Sequence, residues 1–271
     1  MDIGCNMKVI LFDMDGTLTL PKRKMGMFVA SMLARLQKNG FIVGIVTGAD
    51  IQSVKSQCEI MWDISPVDPS EMDFFTCNGT RYLTVSRFNE WSEHYAYDMR
   101  AELGTKVFND IIFKIFEYQA NLKNHQYGQF IPLAGNFVDY RNSMINWSPI
   151  GRNATFEQRE AWKKIDRQYS ARKLILNNYF HHESFVSCRV KLGGETSFDI
   201  SPIGWNKSIA LNNYSKDDKI WFVGDKCNPD GNDYEIFKKL KLKNRAFETS
   251  GPNETIEIVD QILAGEKDER C

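Results

Sequence analysis

No stretch of the 271-residue chain comes near the roughly 20 consecutive apolar residues that a membrane-spanning helix needs, and no apolar leader of the secretory kind opens it. Net charge is lacking too. The 34 lysines and arginines stand against 35 aspartates and glutamates, a formal −1 at pH 7, with both signs well mixed. That removes any long-range reason to expect nucleic acid or a membrane surface as partner, and any anion site must be a local cluster. Six cysteines (Cys5, Cys58, Cys77, Cys188, Cys227 and Cys271) lie far apart and form no CxxC pair, so a reducing, cytoplasmic compartment is the expectation. Internal repeats and low-complexity tracts are absent. What is present excludes a disordered chain: hydrophobic residues at 42% and aromatics at 13% can bury a sizeable core.

The pattern of those apolar residues has two characters. KVILFD (8–13) is a short, nearly continuous apolar run, the mark of a strand covered on both faces. A helix with Phe28, Met32 and Leu36 on one face follows and stops at Asn39-Gly40. FIVGIVTG (41–48), ADIQSVKSQCEIM (49–61) and DFFTCNG (73–79) then read as strand, helix and strand, giving the β-α-β-α-β rhythm of a doubly wound parallel sheet. After residue 85 the rhythm is lost. One long helix is predicted from about Asp98 to Lys123, followed by strand patterns at NFVDYR, SMINWS, ESFVSCRVKL and TSFDIS and a charged helix from about Phe156. From Asn206 the parallel rhythm returns with a helix NKSIALNN, the strand KIWFV ending in Gly224-Asp225, a helix NDYEIFKKL, a strand RAFET and a helix after Pro252. The expected organisation is an α/β core made of 1–85 and 204–271, interrupted by an α+β domain over 86–203, with GEKDERC (265–271) as a solvated end.

In doubly wound sheets ligands bind outside the carboxyl ends of the strands. The first strand ends at Asp13. Asp15, two residues on, shares its side of an extended chain, and Gly16 and Thr17 can offer backbone N–H groups to an anion. Two carboxylates would repel that anion unless something neutralises them, and Mg²⁺, a hard cation held by one or two carboxylates, phosphate and water, fits. Asp225, at the end of a later strand, is a candidate third ligand, with Asp230 and Asp233 close behind. Each aspartate taken singly reads more readily as an Asx turn or helix cap. Two strand ends agreeing on one side favour a site. Farther along, Thr155-Phe-Glu-Gln158 reads as a capping box that places Arg159 in the first turn or so of a helix, where the dipole favours an anion.

DMDGT (13–17), Thr47 of IVTGAD, Lys207 and GDKCNPDGND (224–233), in this order, resemble motifs I to IV of the haloacid dehalogenase superfamily of phosphotransferases. YRNSMINWSPIGR (140–152), GGETSFDISPIGWNK (193–207) and GDKCNPDGNDYEIF (224–237) narrow the resemblance to the eukaryotic-type phosphomannomutases, over about Lys8 to Leu263. The resemblance implies that Asp13 is a nucleophile forming an aspartyl phosphate and Asp15 the general acid/base, with Thr47 and Lys207 binding the phosphoryl group. It implies Mg²⁺ on Asp13, the Asp15 carbonyl and Asp225. In the inserted cap it implies phosphate-holding roles for Arg141, Arg152 and Arg159 and sugar contacts for Ser197 and Asp199. Lys22 stands where the family has a phosphate-contacting arginine. The implied activity interconverts mannose 6-phosphate and mannose 1-phosphate with a hexose bisphosphate as primer, in GDP-mannose biosynthesis, by a homodimer joined through the cap. The chain departs from the family in having Thr47 where the mutases have glycine, and in the segment WDISPVDPSEMDF (62–74). A sugar-phosphate phosphatase of the same fold is therefore the alternative, and a non-catalytic sugar-phosphate-binding protein the second.

Overall fold

The computed structural model describes residues 6–63 and 66–268. The first apolar run forms β1 (Lys8–Phe12), and its side chains alternate between two cores, Ile10 and Phe12 entering one and Val9 and Leu11 the other. Chain order continues with α1 (Met27–Lys38), β2 (Phe41–Val46), α2 (Ile51–Gln57), the single turn α3 (Ile60–Asp63), β3 (Met72–Thr76), β4 (Arg81–Val85) and β5 (Trp91–Ala96). Next come α4 (Met99–Leu103), α5 (Thr105–Asn121), β6 (Val138–Tyr140), β7 (Ile145–Trp147), α6 (Phe156–Tyr169), α7 (Ala171–Tyr179), β8 (Cys188–Gly193) and β9 (Ser197–Pro202). The chain ends with β10 (Lys219–Gly224), α8 (Tyr234–Lys241), β11 (Ala246–Glu248) and α9 (Pro252–Asp268).

Two compact units result, Met1–Ala96 with Trp205–Cys271, and Tyr97–Gly204. The first is built on a seven-stranded sheet in the order β11-β10-β1-β2-β3-β4-β5, parallel from β11 to β3 and antiparallel beyond. Helices α1 and α9 cover the face that carries Ile10 and Phe12, and α8 covers the other. The second unit has a four-stranded antiparallel sheet, β6-β7-β9-β8, over a core that includes Ile115, Trp147, Trp162 and Phe198.

Several elements differ from the sequence reading. The first unit extends to Ala96 rather than ending at residue 85, because β4 and β5 form a hairpin that continues the core sheet instead of opening the inserted domain. Strand β5 is largely exposed (WSEHYA), so its apolar signal is weak. The long helix expected from Asp98 to Lys123 is two helices. Gly104 lies between them at φ 78°, a conformation glycine adopts without strain, and Asp98 caps the first by accepting from the Ala101 N–H at 2.8 Å. The NKSIALNN segment winds as a 3₁₀-helix over Lys207–Asn213, opened by the Asn206 side chain accepting from the Ser208 N–H at 3.0 Å. The expected solvated tail is in part helical: α9 runs to Asp268, and Glu266 pairs with Lys8 and Lys219, each at 3.4 Å, while 269–271 lie outside the described residues. So do Cys5, Cys271 and part of the 62–74 departure; the other four cysteines are free thiols. Among the described residues no helix is long and apolar enough to cross a membrane.

Phe222 of β10 is fully buried, its backbone level with Leu11 of β1. Phe222→Ala is expected to cost about 3–5 kcal/mol of stability. Urea denaturation measures it, and a loss under about 1 kcal/mol would contradict this account of the core.

Candidate active site

Parallel register decides which residues meet at the end of the first unit's sheet. Phe12 is level with Val223 of β10 and with Ile45 of β2, so Asp13, Gly224-Asp225 and Val46-Thr47 leave the sheet side by side. The Asp13 N–H donates to the Val223 carbonyl at 3.0 Å and the Thr47 N–H to that of Phe75 at 2.9 Å, which fixes both backbones one residue past their strands. Asp233 arrives from the loop before α8. That loop closes on itself, the Lys226 N–H donating to Asp233 Oδ2 at 3.0 Å and the Asp233 N–H to the Lys226 carbonyl at 3.2 Å.

Lys207 ties these pieces together. Fully buried, its Nζ donates to Asp13 Oδ1 and, at 2.6 Å, to Asp233 Oδ1. Burial alone would push the ammonium toward its neutral form, but Asp13 and Asp233 outweigh it and hold its pKa above the ordinary value. Burial also pushes the Asp13 carboxyl up to about 7, against the pull of Lys207 and with Asp233 and Asp225 adding repulsion. Thr17 Oγ1 lies 3.4 Å from Asp13 Oδ2.

Asp13, Asp225 and Asp233 each present an oxygen, and these atoms lie within 4.8 Å of one another. The donor set is all hard oxygen, and among the described residues none donates a hydrogen bond to the buried Asp225 Oδ1, so the residues present fit a divalent cation. Burial raises the Asp225 carboxyl as well, with Lys226 opposing it at 3.3 Å from Oδ2. Room for the Asp225 carboxylate depends on Gly16. At φ 91°, a Cβ there would sit 2.3 Å from Asp225 Oδ2. Among the acidic candidates of this loop, Asp233 joins the cluster and Asp230 does not. Asp230 is exposed and its N–H donates to Asn228 Oδ1 at 3.1 Å. The Asp15 carboxylate also lies outside the cluster; its Oδ1 accepts from the Lys22 N–H at 2.7 Å. Lys22 has an exposed side chain and a φ of 58°, so its backbone is the part the structure ties to Asp15. Thr47 is buried, its Oγ1 accepting from the Ala49 N–H at 3.1 Å.

In the second unit, Arg141, at the end of β6, and Arg152 both pair with Asp139, at 2.9 and 3.3 Å. Arg152 Nη1 also donates to Asn146 Oδ1 at 2.9 Å. Asn146 and Asp199 are register partners on β7 and β9, and the Asn146 amide donates to Asp199 Oδ1 at 2.6 Å and to Ser197 Oγ at 2.9 Å. The capping box forms, with Thr155 and Gln158 satisfying each other, and Arg159 follows in the first turn of α6, its Nε donating to the Ala154 carbonyl at 3.4 Å. Burial and the neighbouring guanidinium of Arg141 lower the Arg152 pKa, Asp139 opposing and Arg159 adding to the fall. Asp199 is raised by burial, with Asn146, Arg141 and Arg152 pulling the other way. Three cations thus share one neighbourhood with incomplete compensation, an arrangement suited to an anion carrying more than one charge.

A sequence model of the family described as eukaryotic phosphomannomutase matches residues 29–265. The chain belongs to the eukaryotic phosphomannomutase family. It is 30% identical over 263 residues to phosphomannomutase 1 of Dictyostelium discoideum, spanning 94% of this chain and 96% of that protein. It is also 30% identical over 258 residues to the phosphomannomutase of Saccharomyces cerevisiae, spanning 94% of each. Among solved structures, an IMP-bound mutant of Plasmodium falciparum IMP-nucleotidase has a TM-score of 0.59 at 17% identity, covering 96% of this chain and 67% of that one. Aspergillus fumigatus trehalose-6-phosphate phosphatase has 0.51 at 16%, covering 96% and 93%. At such identities these two share the fold, the haloacid dehalogenase-type core.

Two members of the second site in this phosphomannomutase-family chain escaped the sequence reading. Asp139 carried a signal, since Asp139 on β6 and Arg141 just past its end are two apart and share one side of an extended chain. Asn146 did not, because the polar residue of INW finds Asp199 only through the pairing of β7 with β9.

Gly16→Ala should push Asp225 out of the cluster, so divalent-cation affinity, read by calorimetric titration, is expected to fall at least about 10-fold. An unchanged affinity would remove Asp225 from the ligand set. In the unsubstituted protein a cation must displace any proton on Asp13. Because that carboxyl titrates near 7, affinity should rise as pH goes from 5 toward 7 and level off above; a flat profile would contradict the assignment.

Proposed function

We propose that this chain is a Mg²⁺-dependent phosphomannomutase that interconverts mannose 6-phosphate and mannose 1-phosphate by way of an aspartyl phosphate and a hexose bisphosphate. The observation that carries the reading is that each compact unit has its own constellation suited to phosphate: Asp13 with Thr17, Lys207, Asp225 and Asp233 in one, and Arg141, Arg152 and Arg159 in the other. A mutase needs two phosphate sites, one for the phosphoryl group in transfer and one for the group that stays on the sugar. A phosphatase needs only the first.

In this reading phosphorylated Asp13 gives its phosphoryl group to the free hydroxyl of a hexose monophosphate, the hydroxyl oxygen bonding to phosphorus as the acyl phosphate bond breaks. Asp15 takes the hydroxyl proton. The resulting bisphosphate turns over and returns its other phosphoryl group to Asp13, and Asp15 donates the proton to the departing sugar oxygen. Lys207 holds Asp13 against rotation and offsets the charge beside it. When bound, Mg²⁺ supplies the positive charge that lets carboxylates and phosphoryl group share one site, with Asp13, Asp225, Asp233 and the Asp15 carbonyl as the oxygens that would hold it. Arg141, Arg152 and Arg159 bind the phosphate that is not reacting, and Ser197 and Asp199 bind sugar hydroxyls. The same reading makes Thr47 a phosphoryl-binding group, and the partners hexose phosphate and hexose bisphosphate, with a cytoplasmic location and a homodimer formed through the second unit. A second reading, a sugar-phosphate phosphatase, is favoured by one feature, Thr47 in place of the mutases' glycine.

Pure protein given Mg²⁺, mannose 1-phosphate and a trace of hexose bisphosphate is expected to yield mannose 6-phosphate; free phosphate alone would leave the phosphatase reading standing. Excess chelator should stop the reaction. Asp13→Asn should abolish transfer with the fold intact by circular dichroism. Arg152→Ala removes a charge-assisted contact, so isomerisation should drop about 10- to 100-fold while hydrolysis of p-nitrophenyl phosphate changes much less. Equal losses on both would mean that Arg152 only stabilises its own unit.

A further inference from the structure

Gln57, the last residue of α2, has no part in the scheme above, yet its amide sits against Asp15. The atoms around one end of that amide settle which way it faces. Asp15 Oδ1 and the Arg23 carbonyl can only accept, so the amide nitrogen is the atom turned toward them, at 3.0 and 3.2 Å, with Thr19 Oγ1 also at 3.2 Å. The Gln57 backbone joins in, its carbonyl accepting from the Met25 N–H at 2.7 Å. One residue of α2 therefore grips the loop after β1 at Asp15, Thr19, Arg23 and Met25.

Asp15 Oδ1 thus receives two donors, the Gln57 amide at 3.0 Å and the Lys22 N–H at 2.7 Å. Among the described residues none donates to Oδ2. A protonated carboxyl carries one O–H, and an oxygen that already accepts two hydrogen bonds is the worse place for it, so the exchanging proton belongs on Oδ2. Gln57 cannot ionise and so does not compete for that proton.

We propose that Gln57 is a positioning residue that fixes the Asp15 carboxylate through Oδ1 and so presents Oδ2 as the oxygen that gives and takes the sugar hydroxyl's proton. The inference rests on the reading of Asp15 as acid/base, and holds for mutase and phosphatase alike, because both need a proton delivered to a sugar oxygen. Without the Gln57 amide the carboxylate keeps one donor and can rotate, and displacement of a reacting group by about 1 Å costs on the order of 100-fold.

The test uses Gln57→Ala and Gln57→Glu on the full chain with Mg²⁺, after thermal melts confirm folding, and compares two leaving groups. A sugar alkoxide must be protonated as it leaves. p-Nitrophenolate departs without a proton, so its single-turnover release reports on Asp13 alone. Gln57→Ala is expected to lower kcat on mannose 1-phosphate about 10- to 100-fold with KM within about threefold, while the single-turnover release of p-nitrophenolate slows far less. Gln57→Glu should be at least as slow on the sugar, since it sets a carboxylate where a donor is needed, and Gln57→Asn should not rescue because its amide is one methylene short. Equal slowing on both substrates would overturn the proposal and leave Gln57 a structural link. Sugar turnover within about twofold of the unsubstituted protein would also overturn it. If the unsubstituted protein hydrolyses mannose 1-phosphate without isomerising it, the mutase reading falls while the ratio between the two substrates still decides the role of Gln57. No phosphoryl transfer from either substrate would overturn both.

Discussion

The Lys207 ammonium, fully buried between Asp13 and Asp233, is the interaction on which the first site depends. A lone buried ammonium or carboxylate would be driven to its neutral form, and two carboxylates side by side would repel. Lys207 makes that pairing tolerable only in part. Burial still holds Asp13 near 7, and among the described residues Asp225 Oδ1 still lacks a donor, so the site carries an excess of negative character that a divalent cation would offset. Such a buried triad is poor evidence for stability, since desolvation opposes the Coulombic gain. Its effect is geometric: it fixes the Asp13 carboxylate in one place.

The sheet delivers the members of that site, and backbone conformation leaves space for them. Parallel strands β1, β10 and β2 end level with one another, so one register places Asp13, Asp225 and Thr47 together. Gly16 then clears the volume that the Asp225 carboxylate occupies, and the left-handed turn at Lys22 aims an N–H at Asp15. The second site is organised on a different principle. Antiparallel pairing of β7 with β9 brings Asn146 onto Asp199 and Ser197, and Arg152 and Arg141 gather on Asp139. In the first site a cation sits among anions; in the second, anionic side chains only partly compensate three cations. That contrast matches a cation-assisted phosphoryl centre and a plain phosphate holder.

Much of this was legible in the sequence where the signal was local. The apolar runs at 8–12 and 219–223, the capping box before Arg159 and the aspartates just past the strand ends follow from side-chain periodicity and from residues within four positions of each other. The weaker readings failed for equally local reasons. Gly104 broke a helix whose apolar stripe ran on past it, and exposed β5 lacked the alternation that marks a half-buried strand.

By itself the sequence determined which chemical groups this protein possesses, roughly which element each stands on, and that the α/β core is assembled from both ends of the chain. Only the tertiary structure decided which groups meet. Lys207 reaches Asp13 across 194 positions, and Gln57 meets Asp15 only because α2 returns to the loop after β1. Asp233 meets Asp13 and Asp225 through a loop that a hydrogen bond from the Lys226 N–H closes. Periodicity records which side of an element a residue occupies. It says nothing about the register between elements or the closure of a loop, and a site needing several charged atoms within a few ångströms is set by those two things.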